Sequence, residues 1–263
     1  MLACIVNVSE GRSPVVLDAL AAAAGAGLLD THVDPHHHRA VLTLVGEDAP
    51  RAVAAEAVRR IDLRRHAGAH PRLGAVDVVP FVPLSGSTTA DARTARDRFA
   101  SWLAAELGVP AFRYGGDGPS LPEVRRAARR RRPDTGGPLP HPTAGATAVG
   151  ARGVLVAYNL VLAEPDLHRA RAVAAAVRGP ALRALGLPVG SEVQVSMNLV
   201  APDDVGPAEA FDAVAAHAAV ARTELVGLVP ESVLHAVDPG RWEALDLAAD
   251  RTIESRLGAR PRR

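Results

Sequence analysis

Two histidines four residues apart, His66 and His70, stand beside Pro71 and Arg72 in HAGAHPRLGAVDVVPFVP (66–83), a loop that runs into an apolar, β-branched segment. A loop side chain at a strand entrance can face a cleft. Imidazole titrates near neutrality, so His70 there can take a proton from a reacting nitrogen and return it. A structural or solvated role for His70 is the competing reading. His32 with DPHHHR (34–39) forms a second constellation, whose imidazoles and carboxylates are ligand types for zinc or iron. Successive residues of an extended segment point to opposite faces, so His36, His37 and His38 cannot all approach one ion without an irregular loop. A solvated hairpin with one inward-facing histidine, and no metal, is expected.

A third stretch, HPTAGATAVGAR (141–152), interleaves small residues with Thr143 and Thr147 and closes on Arg152. Small side chains let a flat ligand or a carboxylate approach the backbone, although close packing alone uses the same composition. Arg72 and Arg152 are candidates for substrate carboxylates, because guanidinium grips a carboxylate in a planar fork. The run RRAARRRR (125–132) reads as a solvated helix face rather than a nucleic-acid surface, since aromatic and base-reading residues are missing beside it. No phosphate-loop, dinucleotide or HExxH pattern occurs. The lone Cys4 falls in an expected core strand, where a thiol is inert.

These residues sit in a chain of 263 with 48% hydrophobic content, which reads as globular, and a formal charge of +1, which excludes any strong overall pull toward nucleic acid or an anionic membrane. One cysteine leaves no disulfide framework, and no export signal or membrane span is legible, so a cytoplasmic protein is expected.

The elements that must position the candidates alternate between β-branched runs and Ala/Arg/Leu stretches of helical period, the pattern of an α/β or α+β protein. Strands are expected at 3–9, 28–33, 40–45, 75–83 and 109–114, with helices opening at Pro14 and spanning 47–63 and 89–107. Residues 122–131 read as a short helix and 133–150 as a ligand-lining loop. Strands at 153–162, 191–200 and 224–232 alternate with helices at 165–179 and 207–223, close to a ferredoxin-like unit. Residues 238–263 read as a peripheral helix with a frayed end.

Taken in order, NVSEGR (7–12), LLD (28–30), IDLRRHAGAHPRLGAVDVVPFVP (61–83), HPTAGATAVGARGVLVAYNLVL (141–162), QVSMNL (194–199) and ELVGLVPES (224–232) resemble the glutamate formimidoyltransferase family. The resemblance covers about residues 3–235 and does not extend to a cyclodeaminase domain. It implies an α+β fold of two ferredoxin-like subdomains, 1–151 and 152–263, with facing sheets, helices outside and a crevice between. It implies transfer of a formimidoyl group between the nitrogen of glutamate and N5 of tetrahydrofolate, in histidine degradation, by a homodimer. No metal, nucleic-acid or membrane partner is implied.

The family's acid/base histidine matches His70. Its folate-binding loop matches about Gly137 to Gly145, including Pro138, His141, Thr143 and Ala144, and its first-strand signature matches Asn7, Ser9 and Glu10. Where the family has an acidic residue two positions after the LLD aspartate, which assists catalysis, this chain has His32, with Asp34 two residues on. The family's H-K-G-E-H reads HAGAH, with Ala67 and Ala69 in place of a lysine and a glutamate. Such changes bear on the preferred donor or acceptor. A transferase using another amine or amidine, and a non-catalytic folate-binding protein, are the alternatives.

Overall fold

The structure, a computed structural model, describes residues 1–68 and 71–259. The chain divides into two compact units, Met1–Gly153 and Val154–Arg263.

The first unit begins β1 (Leu2–Val8), α1 (Pro14–Ala24), β2 (Leu28–Asp34), β3 (Arg39–Val45), α2 (Asp48–Arg60) and β4 (Val76–Pro83). It continues α3 (Thr89–Leu107), β5 (Ala111–Gly115), α4 (Leu121–Ala127) and β6 (Thr147–Ala151). The sheet order is β2-β3-β1-β4-β6-β5. Neighbours among its first four strands are antiparallel, and these strands form a β-α-β-β-α-β core; β6 and β5 extend the sheet in parallel. Alternation along β1 sends Cys4, Val6 and Val8 toward α1, α2 and α3, where Leu20, Val53, Ala57, Phe99 and Leu103 complete a buried core. Phe81 and Phe99 meet edge to face at 5.7 Å, and burying each such ring stabilises by about 1.5–3 kcal/mol.

Cross-strand partners share a face, so the register His32–Val41–Asn7–Val78 places these residues on the opposite face of the sheet. There α4 covers the β5–β6 end through Val124, which packs with Val78, Phe112 and Ala148.

The expected ligand-lining loop 133–150 is only partly a loop, because Thr147–Ala151 is the fully buried strand β6. A parallel strand covered on both faces lacks polar alternation, and this one is built from small residues. A Cβ at Gly150 would lie 2.1 Å from the Tyr114 ring.

The second unit is β7 (Val156–Leu162), α5 (Leu167–Ala176), β8 (Leu182–Val189), β9 (Glu192–Leu199), α6 (Pro207–Ala215) and β10 (Val220–Val226), in the sheet order β10-β7-β9-β8. This is the same β-α-β-β-α-β arrangement as the core of the first unit. The unit then runs through α7 (Glu231–His235) to α8 (Ile253–Gly258).

Three expectations are corrected here. β8 was not expected, because Gly186 and Pro188 interrupt its pattern; the glycine is needed where the strand crosses α5, since a Cβ would lie 2.4 Å from the Arg171 nitrogen. The helix expected over 207–223 stops at Ala215, and pairing with β7 takes 220–226 into the sheet. Residues 239–251 form three 3₁₀ turns rather than a peripheral helix, and they are packed: Leu245 and Leu247 are buried, and Tyr158 donates its hydroxyl to the Leu245 carbonyl at 2.8 Å.

Candidate active site

The first-strand motif, the β2–β3 turn and the loop leading into β4 converge at one end of the first unit's sheet. Ser9 follows β1, donates its hydroxyl to the Gly74 carbonyl at 2.8 Å and is buried. Glu10 turns back on its own segment, accepting from the backbone nitrogens of Gly11, Arg12 and Ser13 at 2.9, 2.7 and 3.0 Å through Oε1. Gly11 lets this segment pack against the β2–β3 hairpin, since a Cβ there would lie 2.5 Å from the Asp34 carbonyl. Asn7 accepts a hydrogen bond from Arg39 through its amide oxygen.

In the β2–β3 turn, Asp34 stands opposite Arg39 in register and accepts from the His37 backbone nitrogen at 2.9 Å and from the His37 ring. Burial opposes its ionisation, but the His37 hydrogen bonds outweigh burial and hold the acid at about 2. The expectation of one inward histidine is corrected. His37 and His38 are both turned inward, with side chains only 12% and 14% exposed, while His36 is exposed. The reason lies in the backbone, because His38 has φ +51, which breaks the strand alternation on which the expectation rested. The His38 Nδ1 accepts from the Gly11 nitrogen at 3.1 Å, leaving the ring proton on Nε2. Burial, then the Arg12 and Arg72 charges, lower the His38 pKa against the opposing pull of Glu10.

Asp77 enters through a bulge. Asn7 opposes Val78 and Val8 opposes Val76, so Asp77 is the extra residue and is re-aimed toward α4. Its buried carboxylate accepts from the Leu73 nitrogen at 2.6 Å and from Arg125 Nη2 at 2.5 Å. Arg39 lies in its field and in those of Arg125, Asp34 and Arg72; burial foremost lowers the Arg39 pKa to about 10, still protonated at neutral pH. Arg72 donates from Nη2 to the Gly68 carbonyl at 3.0 Å and from Nη1 to the His66 ring. Ser9, His37, His38, Arg39, Arg72 and Asp77 line a narrow recess of about 10 Å³, room for one water. Among the lining side chains, Arg39 and Arg72 against Asp77 leave one positive charge in excess.

The 141–145 turn is laced to the same loop. His141 and Gly145 exchange backbone hydrogen bonds at 2.8 and 2.9 Å, and the His141 Nδ1 accepts from the Ala144 nitrogen at 3.0 Å. Thr143 accepts from the Leu63 nitrogen and Ala144 from the Ala75 nitrogen through their carbonyls, at 2.8 and 2.9 Å. Gly137 and Pro138 precede this turn and are exposed, and a Cβ on Gly137 would meet nothing within 4 Å.

The structure thus brings Asn7, Ser9, Glu10, Asp34 and Arg72 together at one end of the sheet. His32 shares the sheet face of Asn7 through their common neighbour Val41. Arg152 is not brought to that end: it follows β6 at the opposite end, its backbone nitrogen donating to the Phe81 carbonyl at 3.1 Å, and its guanidinium lies near Tyr114 and Cys4. His70 and Ala69 lie outside the described residues. Sequence reasoning passed over Arg12, Arg39, Asp77 and Arg125. A lone acid inside the apolar run AVDVVPFVP was the available signal for Asp77.

Residues 1–152 match the formiminotransferase domain, N-terminal subdomain. A glutamate formimidoyltransferase from Streptococcus pyogenes is 35% identical over 268 residues, spanning 88% of this chain and 89% of that protein. The chain belongs to the formiminotransferase family. It is therefore a transferase. A glutamate formimidoyltransferase from Thermoplasma acidophilum is 32% identical across 89% of both chains. The formimidoyltransferase-cyclodeaminase of Sus scrofa is 37% identical over 62% of this chain, which spans 34% of that longer family member.

Proposed function

We propose that this protein transfers the formimidoyl group of N-formimidoyl-L-glutamate to N5 of tetrahydrofolate, with His70 as general acid and base. What supports the reading is similarity to glutamate formimidoyltransferases along almost the whole chain, with the motif bearing His70 intact as HPR. In this reaction a bond forms between N5 and the amidinium carbon, and the bond from that carbon to the glutamate nitrogen breaks. One proton leaves N5 and one arrives at the glutamate nitrogen, so a single imidazole can take the first and return it. Arg72, in the same HPR motif, offers a guanidinium for a carboxylate, a group that donor and acceptor both carry.

On this reading the two units are the N- and C-terminal formiminotransferase subdomains, 1–151 and 152–263, and Gly137 to Gly145 holds folate. The protein works in the cytoplasm as a homodimer on small-molecule substrates, within histidine degradation. Among the described residues no helix is long and apolar enough to cross a membrane.

The test is incubation with N-formimidoyl-L-glutamate and tetrahydrofolate, followed by the absorbance of the folate product. Turnover supports the reading, and none with authentic substrates overturns it. His32, Ala67 and Ala69 favour a second reading in which the same site takes another amine or amidine. That reading predicts a faster rate with such a donor than with formimidoyl-glutamate in the same assay.

A further inference from the structure

We infer that Arg12 and the stacked pair His38–His66 are positioning residues, which dock residues 66–68 onto the β2–β3 turn. The inference rests on the proposed role of His70, which the same loop carries.

Arg12 is a fork between two segments. Its Nε donates to the Pro35 carbonyl in the turn at 2.9 Å, and its Nη1 donates to the Ala67 carbonyl in the loop at 3.2 Å. The root of the fork is fixed, because Glu10 caps the Gly11–Ser13 backbone and Gly11 is wedged into the mouth of the hairpin. The second tie is ring on ring: His38 and His66 stack with centroids 4.0 Å apart and planes 24° apart. Each ring is held from behind, His38 by the Gly11 nitrogen and His66 by Arg72. The low pKa of His38 suits this stack, since a neutral ring keeps its Nδ1 lone pair for Gly11 and does not repel its neighbour.

The fit is close. A Cβ on Gly68 would lie 2.8 Å from both the His37 carbonyl and the His38 Cβ. Beyond the 3₁₀ turn Leu63–Arg65, no helix or strand holds the described part of the loop before β4. The ends of the loop are anchored to the 141–146 turn and to Asp77, and between those anchors these ties and Arg125, which donates to the Pro71 carbonyl at 3.0 Å, hold it. A proton-transfer group set wrongly by about 1 Å loses about 10²-fold in rate, whereas substrate held elsewhere keeps its affinity.

The experiment compares Arg12→Ala, His66→Ala, His66→Phe and His70→Asn in the full chain, measuring kcat and KM for both substrates. Arg12→Ala and His66→Ala are expected to lower kcat by about 10- to 100-fold with KM changed less than about threefold. His66→Phe, which restores a flat ring, recovers at least about tenfold of the loss in His66→Ala. A kcat within about twofold of wild type in both alanine variants, or no recovery with phenylalanine, overturns the inference. If Arg12→Ala does not fold, the His66 pair decides. Activity retained in His70→Asn defeats the proposed role of His70 instead, so the two failures are told apart.

Discussion

Arg125 on α4 donates from Nη2 to the Asp77 carboxylate at 2.5 Å, and the Asp77 side chain is 3% exposed. This pair joins the bulge in β4 to the helix on the far face of the sheet, and through Pro71 it also reaches the loop 66–72. Removing Asp77 takes the carboxylate away from Arg125, from the Leu73 nitrogen and from the field around buried Arg39, whereas removing Arg125 leaves Asp77 still hydrogen-bonded to Leu73 and near Arg39. Asp77→Ala is expected to destabilise the first unit by about 3–5 kcal/mol, measured by denaturant unfolding, while Arg125→Met, which leaves Leu73 still donating to Asp77, costs less. Equal and small losses in both variants would contradict the pairing.

Asp34 gives a pH dependence with a definite sign. Its acid is held at about 2 against an ordinary value of about 3.9, so the fold favours the carboxylate. The resulting stability is present above about pH 4 and is lost as the pH falls toward 2. The side chain is 31% exposed, so after allowance for screening the effect is about 1 kcal/mol. Asp34→Asn should flatten the acid limb of the stability curve between about pH 4 and pH 2. A limb unchanged in Asp34→Asn would show that other groups carry it.

Gly145 has φ +70, and a Cβ there would lie 2.3 Å from the Leu73 carbonyl. Gly145→Ala must strain both the left-handed backbone and the contact with the loop into β4, at about 2–4 kcal/mol. Thermal unfolding reads the loss, and Gly137→Ala, with open space around its Cβ, is the control expected to stay near wild type.

Cys4 is fully buried in β1, and burial pushes its thiol pKa up, with Arg152 pulling weakly the other way. A thiol reagent at pH 8 should leave native protein unlabelled and modify one thiol per chain after denaturation. Rapid native labelling would contradict the placement of β1 in the core.

The fold was legible where burial has one face. β1, β3 and the amphipathic helices α2 and α3 follow from apolar spacing. It was hidden where packing demanded small residues, as in TAVGA of β6 between two neighbours, or glycine, as at Gly186 against α5. Candidates in motifs, such as Ser9 and Arg72, could be named from residue type and position. Asp77 could not be placed, because the bulge that aims it exists only once β4 pairs with β1. Nor could His38, whose inward turn depends on one positive φ in a three-histidine run. Arg12 escaped because both of its acceptors are backbone carbonyls, which sequence does not mark.

The proton-transfer role of His70 is tested most directly by the rate of formimidoyl-folate formation from N-formimidoyl-L-glutamate and tetrahydrofolate in wild type and His70→Asn, with folinate binding measured on both. The expected result is a loss of about 10²–10⁴-fold in kcat while folinate affinity stays within about threefold. A variant that keeps wild-type kcat would contradict it.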